Sequence, residues 1–162
     1  MAVYIVDSNF FIQAYRSHYP FDVVPGFWDK IKQLAEKGII ISIDKVRDEL
    51  YANKDELTSW CQQNLPIEFF KDTTVCISEY AEITQWAISL NFYTQQALNE
   101  FLDTEEADAW LISYSKLNGD QIVTHEIKSN SKNRIKIPDV CEPFNVKCVN
   151  TIEMFRQLGE SF

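Results

Sequence analysis

Val3-Tyr4-Ile5-Val6-Asp7-Ser8-Asn9 begins as a short apolar run rich in β-branched residues and ends on an acid and two small polar residues. The run reads as a buried strand. Asp7-Ser8-Asn9 interrupts it, and Phe10 to Tyr19 follow with a helical pattern. Farther along, Phe27, Ile31, Leu34 and Ala35 fall at helical spacing, with Gly38 as the stop. Ile39-Ile40-Ile41 reads as a second buried strand. Helices are expected from Asp44 to about Asn53 and from Asp55 to Asn64. Thr73 to Leu102 reads as helical segments with a break near Asn91. Asp103 or Thr104 is expected to cap a helix that runs to Asn118-Gly119. Gln121 to Thr124 and Lys147 to Asn150 complete the strands, and Thr151 to Leu158 form a closing helix. Buried strands alternating with helices predict an α/β sandwich with a largely parallel sheet. With no internal repeat and no linker, residues 1–162 are expected to form one domain.

Composition agrees with a globular chain. Its 162 residues are 46% hydrophobic and 14% aromatic, with 4 Gly and 5 Pro, which argues against disorder and low-complexity sequence. Fifteen Lys plus Arg against 24 Asp plus Glu leave a net charge of −9. That balance disfavours a uniformly basic nucleic-acid binder, though not a local basic patch. No stretch approaches the roughly 20 apolar residues of a membrane span, and the start lacks a signal-peptide pattern. A cytoplasmic protein with reduced thiols is expected. Cys61, Cys76, Cys141 and Cys148 form no C-x-x-C pair, and only His18 and His125 could join them, so structural zinc is disfavoured. Only proximity in sequence supports a Cys141–Cys148 disulfide.

In open parallel sheets, function gathers beyond the carboxyl ends of the strands. Those ends carry acids here. Asp7 follows the first strand, although capping of the next helix is a sufficient local reason for an Asp there. In the helix from Asp44, Val46 and Leu50 define the buried stripe. Glu49 lies beside that stripe and Asp48 nearly opposite, so Glu49 is the better candidate to face a cleft. Asp108 heads an apolar stripe with Leu111 and Ile112, where a carboxylate is costly unless paired or metal-bound. Favourable interaction with a helix N-terminus explains Glu105 and Glu106 better than Asp108. Glu126 follows the third strand, where an ordinary loop acid is a strong alternative. Residues 100–126 hold seven acids against Lys116 alone, whereas residues 127–138 hold Lys128, Lys132, Arg134 and Lys136 and no acid. Converging carboxylates repel unless a cation binds or protons are taken up. Oxygen ligands without His or Cys select Mg²⁺ or Mn²⁺.

Four segments together resemble the PIN-like domain family, a nuclease fold shared by many prokaryotic toxin ribonucleases. They are Tyr4-Ile5-Val6-Asp7-Ser8-Asn9, Val46-Arg47-Asp48-Glu49-Leu50, Ala107-Asp108-Ala109-Trp110-Leu111-Ile112 and Gly119-Asp120-Gln121-Ile122-Val123-Thr124-His125-Glu126. The likeness spans residues 3–126 in order. It implies a three-layer α/β/α sandwich with a central, mainly parallel sheet of four to five strands. Two features depart from the pattern: Glu126 stands where Asp is usual, and the stretch from Glu49 to Asp108 is long. The second implies a larger subgroup with extra helices.

The resemblance implies a metal-dependent endoribonuclease, of the kind that serves as the toxin of a toxin–antitoxin pair. Asp7, Glu49 and Asp108, with Glu126 as a fourth acid, would hold one or two Mg²⁺ or Mn²⁺ ions. The metal would activate water for attack on an RNA phosphodiester. Asn9 and Thr124 would orient the carboxylates or water, and Lys128, Lys132, Arg134 and Lys136 would position the RNA backbone. A cognate antitoxin and a homodimer are further implications. Two alternatives compete: a PIN-like module that has lost catalysis and binds proteins, and an aspartate-based phosphatase using Asp7. Asn9 stands where such phosphatases carry a second Asp, which disfavours the latter.

Overall fold

The structure is a computed structural model and describes residues 2–162. At its centre lies β1 (Tyr4–Val6), whose three residues are all buried. β1 pairs in parallel with β2 (Ile40–Ile43) on one side and β4 (Gln121–Val123) on the other. β3 (Phe70–Lys71) extends the sheet past β2, and β5 (Cys148–Val149) extends it past β4. The order is therefore β3-β2-β1-β4-β5, and every pairing is parallel. Helices flank the sheet, which explains why β1 and β2 are buried at every position rather than alternating. The expected α/β architecture is present, with five strands.

Nine α-helices are found among the described residues: α1 (Ser8–Gln13), α2 (Pro25–Glu36), α3 (Asp44–Ala52), α4 (Glu56–Asn64), α5 (Ile77–Ser89), α6 (Gln95–Phe101), α7 (Asp108–Asn118), α8 (Ile137–Cys141) and α9 (Thr151–Leu158). Most follow the sequence pattern. The break near Asn91 falls between α5 and α6, and Asn91 takes a positive φ of 54°. Gly119 ends α7 in the left-handed conformation, as its position suggested. Two short elements, β3 and α8, have no counterpart in the sequence reading. Two residues of strand give too little periodicity to detect, and Pro138 disguises the five-residue α8 as a loop.

The helix carrying Asp108 starts later than expected. Asp103 accepts from Glu105 N–H in a turn, and the N-cap of α7 is Ala107, not Asp103 or Thr104. This places Glu105 and Glu106 outside the helix and Asp108 in its first turn, reversing the assignment of helix-terminal acids. The long middle region buttresses that start. Tyr80 of α5 stacks on Trp110 at 3.9 Å between ring centroids, and its hydroxyl donates to Leu102 C=O. Trp110 Nε1–H in turn donates to Thr104 C=O at 3.1 Å.

Between α1 and α2 the chain forms a π-helical segment, Ala14–His18, where Tyr19 N–H bonds Ala14 C=O at 2.8 Å. All four cysteines are free. No helix among the described residues is long and apolar enough to cross a membrane.

The core predicts its own sensitivity. Ile5 is fully buried in the central strand, whereas Ile67 is 97% exposed. Ile5→Ala is expected to lower unfolding free energy by about 2–5 kcal/mol, and Ile67→Ala by less than about 0.5 kcal/mol. Urea denaturation of the two variants beside the parent checks both values.

Candidate active site

Strand order fixes where a crevice must open. The chain leaves β1 toward β2 and β3, then returns to the other side of β1 for β4 and β5. The direction reverses between β1 and β4, and a crevice forms beyond their carboxyl ends. Asp7 stands at one lip, and Thr124, His125 and Glu126 stand at the other.

Asp7 is buried at 4% exposure. Its Oδ1 accepts from Phe10 N–H at 2.9 Å, making it the N-cap of α1. The capping role therefore holds for one oxygen. Burial pushes the Asp7 carboxyl up to about 7; the Phe10 N–H and the Thr124 hydroxyl oppose that rise, and Glu126 and Glu49 add to it.

Glu49 projects from α3 toward the same crevice, while Asp48 is exposed and pairs with Arg47. The Ser8 hydroxyl donates to Glu49 Oε2 at 2.7 Å, and Ala107 N–H donates to Oε1 at 3.2 Å. Glu49 thus ties the start of α1 to the start of α7, reaching an Ala107 that lies 58 residues farther along the chain. Its carboxyl is raised by burial and by Glu106, against the Ser8 and Ala107 bonds.

Among the described residues, none donates a hydrogen bond that favours the ionised form of Asp108. Burial pushes it up to about 7, Glu126, Asp7 and Glu49 push the same way, and only Arg134 opposes them. Asp108, Glu106 and Arg134 line a narrow cleft of about 190 Å³. Glu126 is half-buried. Its Oε2 accepts from Ile137 N–H at 2.9 Å, and Arg134 lies 3.8 Å from Oε1. Glu126 therefore pins the start of α8 as well as facing the other acids.

The remaining candidates divide. Thr124 is buried beside Asp7, and its hydroxyl accepts from Glu126 N–H at 3.1 Å. Asn9 is exposed, and its neighbour Ser8 makes the bond to Glu49. Of the basic segment, Arg134 faces the acids. Lys128 pairs instead with Glu142, and among the described residues neither Lys132 nor Lys136 makes an ion pair. Asp120 is buried at the opposite, amino-terminal end of β4, away from the crevice.

Ser8 and Glu106 were not singled out from sequence. Their only signal was adjacency to Asp7 and Asp108, which cannot reveal which way a side chain turns.

The donor set is all oxygen and short of compensating charge, which suits a hard divalent cation. As the side chains stand, no group of three or more His, Cys, Asp or Glu among the described residues is gathered to hold one.

Fold and site together define an α/β protein with a carboxylate cluster at the switch point of a parallel sheet. The chain belongs to the family described as "Domain of unknown function (DUF4411)", whose model matches residues 4–162. No curated protein matches it. Among solved structures it is similar to VapBC2 from Rickettsia felis, crystallised bound to a DNA fragment from their promoter. The TM-score is 0.55 at 16% identity, covering 91% of this chain and 98% of that one. At that identity the likeness shows the fold alone.

The raised carboxyls have a definite sign. Asp7 and Asp108 hold protons in the folded state that they release in the unfolded chain, where their values lie near 4. Stability is therefore expected to fall as pH rises from about 4 to about 7. Asp108→Asn removes one such group and should flatten that slope. Thermal unfolding across this pH range measures the difference.

Proposed function

We propose that the protein is a metal-dependent endoribonuclease in which Asp7, Glu49 and Asp108, with Glu126, hold one or two Mg²⁺ or Mn²⁺ ions. One observation carries this reading: four acids from β1, α3, α7 and the end of β4 lie within electrostatic reach of one another, and the carboxyls of Asp7 and Asp108 are pushed up to about 7. Structural charge clusters are normally offset by paired cations. Here, among the described residues, Arg134 is the base that opposes the raised carboxyl of Asp108. A bound divalent ion would activate water for attack on a phosphodiester and stabilise the departing oxygen.

The chain's own groups prepare that chemistry. Ser8 and Ala107 N–H fix the Glu49 carboxylate, and Thr124 supports Asp7. Asp108, with no hydrogen bond to satisfy, is left to face an incoming cation. Arg134 flanks the cluster where it would meet a substrate phosphate. Lys132 and Lys136, which make no ion pair among the described residues, would add positive charge for the RNA backbone, whereas Lys128 is paired with Glu142. We further propose that residues 1–162 act as one cytoplasmic unit, as the toxin of a toxin–antitoxin pair, with a cognate antitoxin and self-association. A non-catalytic protein-interaction module is the second reading. The engagement of Glu126 with Ile137 N–H favours it, because that bond occupies one oxygen of a proposed ligand.

Purified protein incubated with total RNA and Mn²⁺ or Mg²⁺ tests the two readings. Cleavage is expected, abolished by EDTA and lowered more than about 100-fold by Asp108→Asn; Ser8→Ala should cost about 10- to 100-fold. Cleavage indifferent to EDTA and to Asp108→Asn would overturn the nuclease reading.

A further inference from the structure

A larger cleft, about 710 Å³, opens beside the acids at the carboxyl ends of β4 and β5. Its volume is in the range of ligand-sized pockets. Thr124 and Glu126 line its inner side, and Glu126 is the acid it shares with the carboxylate cluster. The outer wall is unusual. His18 and His125, the only histidines in the chain, meet there edge-to-face with ring centroids 5.5 Å apart. Tyr19 adjoins them, and Ile152 lies on the side formed by the start of α9.

His18 reaches this position through the π-helical segment Ala14–His18. π-Helix is rare and recurs at functional sites because the wider turn re-aims the side chains that follow it. The segment's end is anchored by Trp28, whose Nε1–H donates to Tyr19 C=O at 2.6 Å. His18 is exposed and His125 half-buried, so imidazole surface is presented to the cleft rather than consumed in the core.

The chemistry of the walls selects an occupant. A phosphate pocket would present free cations. Here the cation on the wall, Lys128, is already paired with Glu142, and Glu126 and Glu153 add negative charge. Imidazole, phenol and aliphatic surfaces instead suit a flat aromatic ring. Unpaired bases in RNA are held by stacking on such side chains, and a base within a duplex cannot enter a side cleft without leaving its stack.

Building on the nuclease reading, we propose that this cleft seats an unpaired nucleobase next to the scissile phosphate, held by His18 and His125.

The test separates this from the nuclease reading by measuring binding without cleavage. Full-length Asp108→Asn protein is titrated, with Mg²⁺ present, into a fluorescein-labelled single-stranded RNA of about ten nucleotides and into the matching duplex. The single strand should bind at least about tenfold tighter than the duplex. His18→Ala or His125→Ala in the same background should weaken single-strand binding about tenfold, and His18→Phe should retain it. In the otherwise unaltered protein, His18→Ala should raise KM more than it lowers kcat. Equal binding of single strand and duplex, no RNA binding, or Ala variants that bind like the parent would overturn the cleft assignment. Cleavage by His18→Ala or His125→Ala with Asp108 intact and KM unchanged would leave the nuclease standing and remove the base site. Histidine-dependent binding without cleavage by any form would do the reverse.

Discussion

Burial of the Asp7 and Asp108 carboxyls beside Glu49 and Glu126 is the constraint around which the carboxyl edge of the sheet is arranged. Three of these acids are each held by a backbone N–H at the beginning of a helix: Phe10 in α1, Ala107 at the cap of α7 and Ile137 in α8. Helix starts carry unsatisfied N–H groups and partial positive charge, so they can offset carboxylates without spending side-chain cations. Asp108 is the exception. It lies in the first turn of α7, but among the described residues no hydrogen bond holds its charge, and Arg134 is the group that opposes its raised carboxyl.

This arrangement also binds distant parts of the chain together. Glu49 joins α1 to the start of α7, and Glu126 joins the end of β4 to α8. The middle helices serve the same region, because Tyr80 and Trp110 fix the turn that precedes Asp108. A change in the core near Trp110 would therefore be felt at the acid cluster.

Legibility from sequence followed the strength of the local signal. Val3 to Val6 and Thr151 to Leu158 carry clear strand and helix patterns, and both elements stand where expected. Glu49 was separable from Asp48 because helical geometry alone decides which lies nearer a buried stripe. By contrast, the start of α7 was placed too early, because Asp103 satisfies a turn as readily as a helix cap. Asn9 and Ser8 are equally polar neighbours, and only their orientation shows that Ser8 makes the bond to Glu49.

The sequence by itself determined that buried strands alternate with helices and that acids follow several of those strands. Periodicity and local chemistry carry that information over a few residues at a time. Tertiary structure alone decided that β1 lies between β2 and β4, so that the ends of β1 and β4 share a switch-point crevice. It also decided that His18, more than a hundred residues from His125 in the chain, meets it on one wall. Strand order and side-chain orientation result from packing between segments far apart in the chain, and no local pattern records them.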